Sequence, residues 1–425
     1  MIDLLPLPDS PMPCPHCLDL DLAIRGFSMP GMIPVADSVC PRCRRRFLAH
    51  LNVGFGADRR ITIDAQTGMV NSVGAPPWYA DRFSQAMASQ GRPAPGLEIV
   101  QRRKRRDDVV LINALDSTYG HVLQALYGCQ SVHNRHPEAS TILIVPAFAA
   151  WLAPDYIDEL WIVAAPLREC NLWNSAVAQA TAELLAASRR VRLTSVTWHI
   201  PDEIDIETFS HVKPLHGGSI EAIIPPRLTL VWRDDRCWTN RGRDLDPPLA
   251  IAEQFELYRR LLERIRQEMP DLVAAVIGYG SFGRFPEWVS DLRTVEQDSA
   301  REKAWVERCA DTHLVFGMHG SNMILPAAHA IGAVEVTPNI LYPYFTWEWA
   351  NQHSAQTALQ RYRLLPQSTS VSDVVSIVFI MLRRMQQGLI YQMPTQLRFE
   401  LLARDPRVFQ SGYDLTLTDA AGAPL

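Results

Sequence analysis

The stretch THLVFGMHGSNMILPAAHAIGAVEVTP, residues Thr312 to Pro338, decides how the rest of the chain is read. It opens on a short apolar strand, Leu314-Val315-Phe316, and turns through Gly317-Met318-His319-Gly320-Ser321-Asn322. An apolar run then reads as a helix over Asn322–Ile331, and Ala333–Val336 reads as a second strand. Strand, glycine-rich turn, helix and strand in immediate succession are the unit of a parallel α/β sheet. Small residues in the turn let backbone approach a ligand closely, and Ser321 or Asn322 is placed to cap the helix. Unpaired N–H groups at a helix start favour a phosphate or diphosphate.

The same alternation extends back to residue 107. Strands 109–113, 141–145, 160–164 and 191–196 are separated by helical segments near 120–133 and 176–188. A proline- and glycine-marked crossing (206–226) leads to a second series: strand 228–232, helix 249–269, strand 272–277, helix 299–310 and the Thr312–Pro338 unit. Helix 249–269 places Phe255, Tyr258, Leu262 and Ile265 on one face, with Glu256 and Arg260 one turn apart on the other. A helix over 372–387 closes the series, capped by Ser372 or Asp373. Continuous Val/Ile/Leu strands point to parallel sheets covered on both faces. The expected fold class is therefore α/β, with two Rossmann-like domains.

Ahead of these lies a different chemistry. Cys14-Pro15-His16-Cys17 and Cys40-Pro41-Arg42-Cys43 are two Cys-x-x-Cys knuckles, and four such thiolates match a structural zinc site with no open position. His16 and His50 are alternative ligands that four cysteines make unnecessary. A thioredoxin-type dithiol requires one pair at a helix start, not two pairs in a Pro/Gly-rich context. Short closing strands are expected at Val53–Phe55 and Ile61–Ile63, about a turn at Asp58-Arg59-Arg60. The division is then a zinc ribbon (1–70), a linker with one short helix at 79–88 (71–106), an acceptor domain (107–210), a donor-binding domain (211–388) and a tail (389–425).

Composition bounds the function. The chain has 425 residues, 47% hydrophobic and 20% charged, which is ordinary for a globular protein. Apolar runs such as Ile377–Leu382 are too short to span a bilayer, and the start Met1–Pro6 has no signal-peptide pattern, so a cytoplasmic protein is expected. The net charge of −5 conceals basic runs at Arg44–Arg46 and Arg102–Arg106. Only three lysines occur, so the runs reflect arginine preference and are read as solvated segments, with nucleic acid disfavoured.

Three groups fall at the carboxyl ends of the expected strands, where open α/β sheets bind ligands. Asp116 and His121, after strand 109–113, are candidate general bases, or a helix cap and a packed histidine. Arg233 and Arg236, after strand 228–232, suit a diphosphate, or else pair with Asp234 and Asp235. His319, Gly320, Ser321 and Asn322 form the turn already described, where His319 can donate to a phosphate oxygen or else is a packed core histidine, and Glu335 at the end of the next strand either binds ribose hydroxyls or is a plain strand-end carboxylate. Gly278-Tyr279-Gly280-Ser281-Phe282-Gly283 matches a dinucleotide fingerprint, but Arg284-Phe285-Pro286 interrupts the helix that fingerprint needs. The aromatic group Tyr342, Tyr344, Phe345, Trp347 and Trp349 reads as core or as a stacking surface.

Phe316–Met323, followed by Val334-Glu335-Val336-Thr337-Pro338, resembles the signature of the family 61 glycosyltransferases. Ser321 stands where that family has Ala, and Asn322 where it has Gly. The resemblance spans roughly 107–370, including Gln360-Arg361-Tyr362, and implies a GT-B fold whose second domain holds the donor. It also implies inverting transfer of a sugar from a nucleotide donor, UDP- or GDP-linked, to a glycan, protein or small-molecule hydroxyl, without a catalytic metal. By position, His319, Gly320 and Ser321 would lie near the diphosphate, Glu335 near the ribose, and Arg233 at a matching strand end. The rival readings are a catalytically inactive sugar-nucleotide or nucleic-acid binding protein tethered by its ribbon, and a dinucleotide oxidoreductase.

Overall fold

The computed structural model describes residues 2–4, 13–18, 22–51, 53, 60–73, 77–194, 206–215, 225–238, 247–338 and 362–386. The expected aromatic group 342–349, the segment 360–361, the turn 58–59 and the tail 389–425 lie outside the described residues.

In chain order, β1 (Ile2–Asp3) precedes five short strands: β2 (Ala23–Ser28), β3 (Val35–Val39), β4 (Arg46–His50), β5 (Arg60–Asp64) and β6 (Val70–Val73). Helix α1 (Pro77–Ala88) and strand β7 (Leu97–Gln101) lead into β8 (Asp108–Asn113), α2 (Tyr119–Arg135), β9 (Ser140–Pro146), β10 (Glu159–Val163), α3 (Ser175–Ala187), β11 (Arg190–Leu193) and α4 (Ile206–Ser210). The second half comprises β12 (Arg227–Arg233), α5 (Pro247–Glu268), β13 (Val273–Tyr279), β14 (Val289–Asp291), α6 (Ser299–Cys309), β15 (Leu314–Met318), α7 (Ile324–His329), β16 (Gly332–Thr337), β17 (Tyr362–Pro366) and α8 (Val371–Gln386).

These strands form three sheets. The first domain has the order β1-β11-β8-β9-β10-β7, parallel in the middle with antiparallel strands β1 and β7 at its edges. The second is parallel throughout, in the order β14-β13-β12-β15-β16-β17. Strands β2 to β6 make an antiparallel meander. The chain is thus α/β, with two Rossmann-like domains and a small cysteine-bearing module in front.

Side-chain alternation explains how the second sheet is covered. Leu228, Leu230 and Trp232 of β12 bury against Tyr258, Leu262 and Ile265 of α5 and Val374 and Val378 of α8. Val231, pointing to the other face, packs with Trp305 and Cys309 of α6 and with Met323. Such a layer loses about 3–5 kcal/mol when one large aromatic is truncated, so Trp232 alone carries a sizeable share of domain stability. On the exposed side of α5, Glu256 pairs with Arg259 at 2.8 Å, and Arg259 also reaches Glu263, so Arg259 takes the part expected of Arg260.

Two features depart from the linear reading. The segment 71–106 holds more than a linker: Val70–Val73 completes the meander, α1 packs on it through Tyr79 and Phe83, and β7 hydrogen-bonds along β10. The meander also has no separate core on its cysteine side. Cys14, Met29, Phe47 and Leu51 bury together with Val109, Leu111 and Trp161 of the first sheet and Val177 and Leu184 of α3. A module this small gains stability by borrowing a neighbour's apolar face.

The basic run has a structural job here. Arg102 donates to the Pro154 carbonyl at 2.8 Å, Arg103 to Tyr156 at 2.7 Å and Asp155 at 2.9 Å, and Arg106 to Pro137 at 2.5 Å. Arg45 and Arg46 pair with Asp64 and Asp37 at 3.1 and 2.7 Å.

Candidate functional site

The four knuckle cysteines converge. Their sulfurs all lie within 4.8 Å of one another, with Cys14 Sγ 3.7 Å from Cys43 Sγ and Cys17 Sγ 3.6 Å from Cys40 Sγ. A tetrahedron with metal–sulfur bonds of about 2.3 Å has edges of about 3.8 Å, so the spacing suits a four-thiolate ion site. Both knuckles use one backbone solution. Leu18 N donates to Cys14 O and Arg44 N to Cys40 O, and Leu18 and Arg44 have φ of 57° and 61°. The turn after each second cysteine is thereby left-handed, which swings paired sulfurs to one side.

In the second domain the turn after β15 meets the ends of β12 and β16. His319 Nδ1 lies 2.5 Å from Glu335 Oε2, and Glu335 also hydrogen-bonds Tyr362. Glu335 is 3% exposed. Arg236 Nη1 donates to the His319 carbonyl at 2.5 Å, and Arg233 Nη1 approaches it at 3.4 Å. Arg233 is itself held by Asp235 through two bonds of 2.6 Å. Burial raises the Asp235 carboxyl, but the Arg233 hydrogen bonds and charge outweigh it and hold its pKa below the ordinary value. Burial first, and the Arg233 charge second, lower the Arg236 pKa. Gly320 makes this crowding possible: at φ 146° a Cβ would fall 2.4 Å from Arg233 Nη1 and 3.1 Å from Arg236 Nη1.

The helix after the turn is shorter than expected. Residues Ser321–Met323 form a 3-10 turn and α7 spans only six residues, with no side-chain cap hydrogen bond at either start. Ala330 turns extended and Gly332 already belongs to β16, so the run to Ile331 does not remain helical. Positive charge in this corner comes from the two arginines rather than from a long helix dipole. The fingerprint-like loop 278–283 likewise starts no helix; it is riveted by Arg293, which donates to Phe282 O at 2.7 Å and Gly283 O at 3.0 Å.

The first domain presents its own pair at the matching sheet edge. His121 Nδ1 lies 3.1 Å from Asp116 Oδ2, while Asp116 Oδ1 accepts from Thr118 N at 2.7 Å. Asp116 is the more buried of the two, with 8% of its side chain exposed against 21% for His121. Asp116 does not cap α2, whose N-cap Thr118 carries no side-chain cap bond; its carboxylate closes the turn before the helix and also reaches the histidine.

The two edges meet. A Cβ on Gly120 would lie 3.0 Å from Ser321 Cβ. Around this seam Tyr119 OH donates to Glu302 Oε2 at 3.0 Å, and Tyr279 OH donates to the other oxygen. Glu302 is 3% exposed, and burial lifts its pKa to about 7 against the pull of both tyrosine hydrogen bonds. A cavity of about 40 Å³, lined by Tyr119, Tyr279, Glu302 and Asn322 among others, lies beside them, room for a few water molecules. Val306 and Leu325 of the second domain join the buried cluster of α2 and β9 in the first, so the seam is apolar around its polar centre.

No family model matches this chain, and no curated protein matches it in sequence. Among solved structures it is similar to an E. coli ADP-heptose LPS heptosyltransferase II, at 10% identity and TM-score 0.36, covering 66% of this chain and 99% of that one. TarM follows at 10% identity and TM-score 0.24, covering 92% and 76%, and OtsA in its apo form at 14% and 0.22, covering 67% and 71%.

Sequence reasoning gave no site role to Arg82, Tyr119, Glu302 and Tyr362. Glu302 carried the one available signal: in α6 it lies one turn from Trp305 and Val306, on the helix's apolar side. Tyr362 sits in a strand that no periodicity announces, and Arg82 in a segment read as linker.

Proposed function

We propose that the chain is a GT-B-type glycosyltransferase that moves a sugar from a nucleotide donor to a hydroxyl acceptor with inversion, resembling family 61. The supporting observation is the meeting of two unlike edges. Arg233, Arg236 and His319 supply positive charge and donors on one side, and Asp116–His121 supplies a base on the other.

In this reading the donor diphosphate lies against Arg233, Arg236 and the Gly320–Asn322 backbone. Glu335 orients His319 rather than binding ribose, because its carboxylate is buried between His319 and Tyr362. His121, held by Asp116, takes the proton of the acceptor hydroxyl as its oxygen bonds the anomeric carbon. The bond from that carbon to the diphosphate oxygen breaks with its electron pair, and the arginines neutralise the charge that develops. No metal is needed for this step. Cys14, Cys17, Cys40 and Cys43 would hold a zinc ion that fastens the two knuckles and has no ligand position left for chemistry.

A thermal-shift and calorimetric screen of UDP- and GDP-sugars, followed by a transfer and hydrolysis assay, tests the proposal. A donor that raises Tm and turns over supports it. Tight binding without turnover supports a binding protein instead, and no nucleotide binding at all removes both readings.

A further inference from the structure

The loop 114–118, between β8 and α2, carries Asp116 and is gripped from the cysteine module. At its start, Asn113 Nδ2 donates to Gly31 O at 2.8 Å, while Asn113 Oδ1 accepts from Leu115 N at 3.0 Å. The module loop around Gly31 is seated just as closely on the domain. Asn174 N donates to Pro30 O at 2.6 Å and Met32 N to Cys170 O at 3.1 Å, and a Cβ on Gly31 would strike Leu172 O at 2.6 Å. At the other end of the loop, Arg82 of α1 sets Nη1 3.8 Å from Asp116 Oδ1, and both of its terminal nitrogens lie 3.4 Å from Thr118 Oγ1. Helix α1 is in turn fixed to the meander by Tyr79, whose hydroxyl meets His50 Nε2 at 3.3 Å, and by Phe83, buried with Ile33, Val35 and Ile61.

From this chain of contacts we infer that the cysteine module is a working part of the acceptor half, and that Arg82 is a positioning residue for the Asp116–His121 pair. The physical reason is geometric. A carboxylate that must hold a histidine in line needs its own loop fixed at both ends. Here Asn113 fixes one end through Gly31 and Arg82 fixes the other through Asp116 and Thr118. Both anchors are attached to strands that the four cysteines tie together, since β2, β3 and β4 lie between or beside the two knuckles. The module contacts named above all run to the first domain. Metal loading should therefore govern the acceptor half while leaving the donor half alone.

This inference rests on the glycosyl-transfer reading only for its kinetic arm, so the test has two arms. In the first, amide hydrogen exchange is measured for the full-length wild type, metal-loaded and chelated, and for Arg82→Gln and Arg82→Lys. Exchange across 114–121 is expected to accelerate about tenfold or more in Arg82→Gln and on chelation, with 314–322 unchanged and Arg82→Lys near wild type. In the second, steady-state kinetics should show kcat lowered roughly 10- to 100-fold in Arg82→Gln, acceptor KM and donor affinity within about twofold, and partial recovery in Arg82→Lys. Unaltered exchange at 114–121 in both Arg82→Gln and chelated protein overturns the inference. So does a donor affinity that falls together with kcat. Failure of the wild type to bind any sugar nucleotide would remove the transfer reading, yet the exchange arm would still decide whether the module holds this loop.

Discussion

The two sheet edges that meet at Gly120 and Ser321 each carry a histidine, a carboxylate and an arginine, and they use them in opposite ways. In the second domain Glu335 is buried between His319 and Tyr362, and the arginines reach the histidine's own carbonyl. Charge there is concentrated at the strand ends of a wholly parallel sheet, with Arg233 buried and paired with Asp235. In the first domain one carboxylate, Asp116, is shared by a backbone N–H, a histidine and an arginine that arrives from a different module. The difference lies in what holds the carboxylate: a histidine and a tyrosine of its own domain for Glu335, and an arginine from a separate module for Asp116.

Asp116→Asn breaks the comparison most strongly. It should lower kcat by about 10²- to 10⁴-fold while donor affinity measured by calorimetry stays within about twofold. Equal losses in both would mean that the two edges do not divide the work.

Next in size is the seam between them. The Glu302 pKa of about 7 lies above its ordinary 4.5, so folding takes up a proton between those values. The associated stabilisation is complete below pH 4.5 and is lost as pH rises through 7, about 3 kcal/mol in all. Urea unfolding at pH 5 and pH 8 should show that difference shrinking in Glu302→Gln, and an unchanged difference would place the titration elsewhere.

Arg236→Ala should weaken donor binding by about 2 kcal/mol, a loss of roughly 30-fold read by calorimetry, with acceptor-side exchange unaffected. Gly320→Ala should cost about 1–3 kcal/mol in donor affinity or stability, because the new methyl meets the Arg233 guanidinium in a left-handed backbone conformation. Cys14→Ser, measured by metal content and melting, should lower the Tm of the whole first domain rather than release an independent ribbon, since Cys14 shares a core with Leu111 and Trp161.

How much of this was written in the sequence differs between the edges. The four central strands of the second domain were legible, because parallel buried strands are continuous apolar runs and its helices are amphipathic at a single period. The turn 317–322 announced itself through its glycines, although the helix after it proved shorter. The four cysteines were legible from spacing alone. The edge strands were not: β1 and β14 have only two and three residues, and β7 and β17 are only partly buried, so neither composition nor alternation marks them.

By itself, then, the sequence determined the α/β class, the two series of strands and the residues able to carry charge or bind a metal. Local periodicity and spacing suffice for those, since each depends on neighbours within a few residues. Only the tertiary structure decided that Glu335 belongs to His319, that Arg82 reaches Asp116 and that the cysteine module shares the first domain's core. Those are contacts between residues far apart in the chain, and nothing in local sequence records which distant side chain will fill a given hydrogen bond.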